Sequence, residues 1–149
     1  MQSRTAPARL RELPSWLIGQ SSLVARYLVT EQLALLDDHR YHFSMLAALD
    51  EFGPLSQAEL GRRCGLDRSD VTAAVSELAS RDLVERRPDP DDRRRNTVRI
   101  TQTGLAHLAE LDRRVAAAQE ELLAPLSAAE RRMLVMLLTR LAEHHAGPT

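Results

Sequence analysis

The side chains best suited to chemistry in this sequence are arginines. Arg93, Arg94 and Arg95 stand in a row behind the acidic pair Asp91 and Asp92, in a segment punctuated by Pro88 and Pro90. A guanidinium is a rigid fork of donors that fits phosphate oxygens and the edge of guanine. Histidines form the second candidate set. His39 and His42 are three residues apart, and His107 is much further along. Imidazoles can ligate zinc, but these three have no clear fourth ligand in the sequence, so no metal is assigned and no cofactor is expected. Cys64 is the single cysteine. It has no identifiable base partner and sits at an apolar register, which fits a buried thiol better than a reactive one. The sequence has no glycine-rich phosphate loop, no nucleophile elbow and no zinc-protease helix motif, so an enzyme is not expected.

Bulk composition narrows the choice further. The chain has 149 residues, 44% hydrophobic and 28% charged, as in an ordinary globular domain. Aromatic residues make up 3%, too few for the stacking platforms of a single-strand binder. The net charge of −1 argues against nucleic acid only until it is resolved along the chain. Between Arg81 and Arg99 there are seven arginines against five acids, whereas 31–59 is acidic, an asymmetry that allows a local basic face. All of the basic residues are arginine. A single cysteine excludes an internal disulfide and is compatible with the cytoplasm. No apolar run approaches the ~18–20 residues that span a bilayer, and no secretory leader is evident at the N-terminus.

The elements that must position the arginines can be read in order. Residues 1 to about 12 are expected to fray. Pro14 then opens a long helix over 15–37 with an apolar stripe from Trp16 to Leu36, wide enough to need a second subunit as well as its own core. A second helix, about 41–51, ends at Gly53 and Pro54. Ser56 and Glu59 make a capping box for a short helix to about Cys64, Gly65 turns the chain, and Asp67 caps the next helix. That helix buries Val71, Ala74, Val75 and Leu78. It shows solvent a face of small polar residues: Arg68, Ser69, Thr72, Ala73 and Ser76. The pattern is a helix-turn-helix. Two short strands, Leu83–Arg86 and Thr97–Ile100, follow and flank the proline-marked turn as a β-hairpin. Thr101 or Thr103 caps a long helix to about Leu123. A second capping box, Ser127 and Glu130, starts the last helix, with leucines at i, i+3, i+4 and i+7 spacing, and the tail from His144 frays. The fold class is mainly α with a small β-hairpin wing: a winged helix-turn-helix core between N- and C-terminal dimerisation helices.

This order, with Asp92-Arg93-Arg94 leading to Ile100-Thr101 and Gly104, and Leu83-Val84-Glu85-Arg86 before it, resembles the multiple-antibiotic-resistance regulator (MarR) family of bacterial transcription factors. In the wing and the stretch leading into it, two positions depart from the family's pattern: Ile100 replaces a leucine, and Asp82 stands where glycine is commonest. The resemblance covers nearly the whole chain, about 15–144. It implies one subunit over 1–149, with 15–37 and 102–144 as dimerisation helices and 41–101 as the winged DNA-binding region. It further implies a homodimer on a pseudo-palindromic double-stranded operator, one recognition helix per major groove and one wing per minor groove.

By the same resemblance Arg94 is the wing arginine and Asp92 the acid that orients it. Arg93 and Arg95 either contact flanking phosphates or face solvent. Many members carry an arginine where this chain has Ala73, so base readout rests on Arg68, Ser69, Thr72, Ala73 and Ser76. Arg62 and Arg63 either touch phosphate or belong to a solvated face. The family's effectors are small, often aromatic or phenolic, anions held between the dimer helices and the DNA-binding lobe. Trp16, His39, Arg40, Tyr41, His42 and His107 lie on segments bordering that crevice. The expected function is a dimeric, sequence-specific regulator, a repressor released by such an effector. The alternatives are a metal- or redox-responsive regulator of the same fold, or a winged helix used only for protein contacts.

Overall fold

A computed structural model describes residues 5–147. Helix α1 (Ala8–Arg11) is a single turn, so part of the segment expected to fray is helical. Helix α2 (Pro14–Ala34) starts with proline at its first turn, where the missing amide costs nothing. It ends three residues earlier than the periodicity suggests, because the chain turns through Asp37 at φ 57. Helix α3 (Arg40–Phe52) follows, and Gly53, at φ 77, stops it.

The helix-turn-helix is α4 (Gln57–Cys64) and α5 (Arg68–Ser80). The Ser56 hydroxyl accepts from the Glu59 amide at 3.2 Å and the Asp67 carboxylate from the Asp70 amide at 2.9 Å. The Ser56 capping box is only half formed, since the Glu59 carboxylate faces Arg62 at 3.8 Å. Gly65 closes α4 in the left-handed conformation, φ 65, which a side chain would strain.

The wing is larger than a two-stranded hairpin. Strand β1 (Leu55–Ser56) pairs antiparallel with β3 (Asn96–Ile100), which also pairs with β2 (Val84–Pro88), giving the order β1-β3-β2. Pro88 lies at the end of β2 opposite Asn96, not in the turn. Helix α6 (Gln102–Leu122) starts from Thr101, whose hydroxyl accepts from the Gly104 amide at 2.9 Å. There a Cβ on Gly104 would lie 2.0 Å from the Leu83 carbonyl oxygen, so only glycine lets α6 leave the wing along this path. Helix α7 (Ala128–His145) has the full Ser127–Glu130 capping box and runs through His144 and His145. The tail therefore stays helical further than expected.

The core joins the winged region to the long helices. Leu33, Met45, Leu46, Leu49, Leu60, Val71, Val75, Leu78, Val98 and Leu111 are all but inaccessible. Helices α2 and α6 pack along each other. Helix α7 buries no residue, and Met133, Val135, Met136, Leu137, Leu138 and Leu141 are exposed on it. Leu17, Ile18, Leu23 and Tyr27 are likewise exposed on α2.

Candidate nucleic-acid interface

The wing tip is shaped by its aspartates. The Asp89 amide donates to the Arg95 carbonyl at 2.8 Å, and the Arg95 amide donates to the Asp92 carbonyl at 3.0 Å. The Asp92 carboxylate accepts from the Arg94 amide at 3.0 Å and also faces the Arg94 Nε at 3.5 Å and the Arg95 Nε at 3.8 Å. Its firmest hold is therefore on the backbone of Arg94, with weaker pairing to two guanidiniums. The Arg94 side chain is 94% exposed. An exposed pair of this kind contributes at most about 1 kcal/mol, so the carboxylate sets the shape of the tip rather than its stability. Arg93 is exposed and makes no ion pair among the described residues. On the strands, Glu85 pairs with Arg87 at 3.1 Å and with Arg99 at 2.9 Å.

Helix α5 turns Arg68, Ser69, Thr72, Ala73 and Ser76 outward together. Their hydroxyls already have partners. Ser69 donates to Asp67 at 2.8 Å, Thr72 donates to the Arg68 carbonyl at 2.9 Å, and Ser76 accepts from Arg86 at 2.9 Å. The bonds from Ser69 and from the Asp70 amide hold the Asp67 carboxyl below its ordinary range, the amide more than the hydroxyl. Gln57 at the start of α4 donates to the Thr72 hydroxyl at 3.3 Å and so reaches the same face. Nothing in the sequence marks Gln57 or Arg86 as part of it.

Between the helix-turn-helix and the tip half of the wing lies a cleft of about 1200 Å³, lined among others by Gln57, Arg62, Arg68 and Arg95. It gathers arginines from α4, α5 and the wing around one space. Arg63 is not among them; its guanidinium stacks on the Phe52 ring at 3.8 Å.

The residues expected to surround an effector divide into three places. His39, Arg40 and Tyr41 line a second cleft of about 290 Å³ together with Arg26 and Thr30 of α2, which sequence reading missed. Arg40 donates to the Tyr41 hydroxyl at 3.3 Å. Trp16 is half-buried near the start of α2 and does not line this cleft. His42 and His107 are instead drawn to Asp38, whose side chain is fully buried. One Asp38 oxygen faces His42 Nδ1 at 3.0 Å and Arg81 at 2.9 Å, and the other receives a close hydrogen bond from His107. Burial works to raise the Asp38 carboxyl, but the bonds from His42, Arg81 and His107 prevail and hold it well below the carboxylate range. His42 Nε2 faces Glu77 of α5 at 2.7 Å, a bond that lowers the Glu77 carboxyl despite opposing desolvation. Burial, helped by the charge of His42, lowers His39 below an ordinary imidazole, while Glu77 and Asp38 pull it the other way. Burial pushes the Cys64 thiol up, which keeps it a poor nucleophile.

A capped helix-turn-helix followed by an arginine-tipped sheet, set between long helices with exposed apolar faces, defines a winged-helix regulator. The chain belongs to the MarR family, whose model matches residues 36–95. It is similar to the HTH-type transcriptional repressor NicR of Pseudomonas putida, 35% identical over 107 residues, which cover 70% of this chain and 68% of that relative. It is similar in structure to the PcaV transcriptional regulator of Streptomyces coelicolor in complex with its natural ligand, with a TM-score of 0.78 and 31% identity over 96% of this chain and 100% of that one. A mutant MarR of E. coli complexed with operator DNA aligns with a TM-score of 0.76 and 26% identity, over 91% and 99% of the two chains. MarR proteins are transcription regulators, not enzymes. No helix among the described residues is long and apolar enough to cross a membrane.

Proposed function

We propose that this chain is one subunit of a homodimeric, cytoplasmic transcriptional repressor that binds a pseudo-palindromic duplex operator and is released by a small aromatic or phenolic anion. The observation that carries the reading is the cleft in which Arg62, Arg68 and Arg95 converge, with the outward face of α5 beside it and Arg94 projecting beyond it. Residues 41–101 form the DNA-binding region. Helix α5 enters the major groove, where Thr72 and Ala73 offer methyl groups to thymine and Arg68 a fork to guanine. Arg94 enters the minor groove, and Arg62, Arg93 and Arg95 meet phosphates.

The dimer is supported by the apolar side chains that α2 and α7 expose, six large ones on α7 alone. Large apolar side chains exposed in that number along one helix mark an interface. Residues 15–37 and 102–144 supply it, and a second copy of the chain covers it. The effector reading is supported by the smaller cleft, where two arginines, a histidine and a phenol surround a space suited to a compact organic anion.

The decisive experiment is selection of bound duplexes from a random pool, followed by titration of the winning sequence at increasing salt. A protein making several phosphate contacts loses about 10³–10⁵ in affinity between about 50 and 200 mM salt. Failure to select any duplex, or affinity indifferent to salt, would overturn the reading. Aromatic acids added to the complex then test release.

A further inference from the structure

His39, His42 and Glu77 bring three potential ligand atoms within 4.8 Å of one another. We propose that these three side chains bind a borderline divalent transition-metal ion such as Zn²⁺, one per chain, with Asp38 as the outer carboxylate that fixes His42.

Four observations support the site. The first is distance. Around a tetrahedral ion with bonds near 2.0–2.1 Å, neighbouring ligand atoms lie about 3.3 Å apart. Glu77 Oε2 is 3.4 Å from His39 Nε2, which already fits, and 2.7 Å from His42 Nε2, which must open by about 0.6 Å to reach that spacing. Glu77 and His39 are half exposed and free to move.

The second is the ring arrangement. The two imidazoles stack with centroids 3.6 Å apart and planes at 28°, which turns both Nε2 atoms towards the same carboxylate oxygen.

The third is the support behind His42. Metal-bound histidines almost always give their other ring N–H to a carboxylate or carbonyl, which fixes the tautomer. His42 Nδ1 faces the Asp38 carboxylate at 3.0 Å, and Arg81 and His107 in turn hold that carboxylate. A proton held on Nδ1 by Asp38 leaves the Nε2 lone pair to the ion, at the expense of the 3.4 Å bond that Nδ1 accepts from the His39 amide. His107 belongs to this outer layer, and the third ligand is Glu77.

The fourth is ligand chemistry. Two imidazoles and one carboxylate suit zinc, cobalt or nickel, whereas magnesium and calcium select all-oxygen sites. Three protein ligands leave one position for water or a small anion. The ion would join the start of α3 to α5, the helix whose other face reads DNA. That regulatory meaning rests on the proposed function; the site itself does not.

The test uses the full chain, free of any affinity tag, stripped with chelator and titrated with Co²⁺ in the absence of DNA. The expected result is saturation at one ion per chain, with the intense visible bands of low-coordinate cobalt. Zn²⁺ should displace the cobalt, and Mg²⁺ and Ca²⁺ should not. His39→Ala and Glu77→Gln alter exposed side chains and keep the fold, and each should weaken binding at least tenfold. A double variant, His144→Ala with His145→Ala, controls for the adjacent histidines at the end of α7 and should bind like wild type. Three outcomes overturn the proposal: no saturable binding, affinity unchanged in both His39→Ala and Glu77→Gln, or binding lost in the α7 variant. Since no DNA is present, each of these outcomes leaves the operator reading untouched.

Discussion

Asp38 is the most informative residue to change. Its side chain is fully buried, and its two oxygens serve His42, Arg81 and His107, which come from α3, the end of α5 and α6. Asp38→Asn keeps the shape and one acceptor but places an NH₂ group against donors. Hydrogen bonds to a charged group contribute about 1.5–3 kcal/mol each, so three donors set a ceiling of several kcal/mol. Arg81 is 32% exposed and His107 17%, so both can turn to water in the variant. His42 is 3% exposed and cannot. The expected loss is therefore at the low end of the range for breaking a buried pair, about 3–4 kcal/mol.

The assay is urea unfolding at fixed protein concentration, because a dimer's stability depends on it. The pH dependence supplies an independent check. The folded-state pKa of Asp38 lies below its unfolded value. Its contribution is therefore complete above the unfolded pKa of about 3.9 and is lost as pH falls from there through the folded value. Wild type should lose stability steeply below about pH 4, and Asp38→Asn should lose less over the same interval. A cost under about 1 kcal/mol at pH 7, or an acid limb identical in the two proteins, would refute the view that this carboxylate ties the three helices together.

Other expectations concern the interface and the wing. Arg94→Ala should weaken operator binding by about 1–3 kcal/mol at matched salt, as for a good groove contact. A gel-shift titration measures it, and because Ala73 contributes no charge, the loss should exceed that in a relative with an arginine at this place of the recognition helix. Leu138→Glu should weaken the dimer by at least about 1.5–3 kcal/mol, the value of burying a leucine, and shift sedimentation towards monomer. Gly104→Ala, with its Cβ 2.0 Å from the Leu83 carbonyl oxygen, should cost about 1–3 kcal/mol or more and lower the melting temperature. Asp82 sits in the left-handed region at φ 58, where aspartate is tolerated and glycine is at ease. Asp82→Gly should therefore raise stability by up to about 1 kcal/mol in the same unfolding assay.

What the sequence made legible was local. Caps at Ser56, Asp67, Thr101 and Ser127 declare themselves within three residues, and each is present. The helix-turn-helix and the wing follow from those caps, the glycine turn and period-2 pairing. Strand β1 did not, because two residues carry no periodicity and Leu55 is a strand only where Val98 offers an edge. Half the Ser56 box also failed, for Arg62 competes for the Glu59 carboxylate one turn on. The site was legible where it is a single face, as on α5, and opaque where it is assembled. Arg26 reaches the smaller cleft from α2, and Glu77 meets His42 across 35 residues. Read along α5, Glu77 is only an acid in a helix that faces DNA; its partner becomes visible when α3 is laid against it.

That contact also bears on how a bound anion could act at a distance. His39 lies on the wall of the smaller cleft and, through its other side, 3.4 Å from Glu77 on the DNA-reading helix. A ligand that draws His39 into the cleft takes one partner from Glu77 and leaves His42 to hold it alone. A ligand that leaves His39 in place changes nothing on α5. Coupling between sites is reciprocal, and an exposed pair such as His39–Glu77 supplies at most about 1 kcal/mol of it. An effector confined to Arg26, Arg40 and Tyr41 would leave the His39–Glu77 contact as it is.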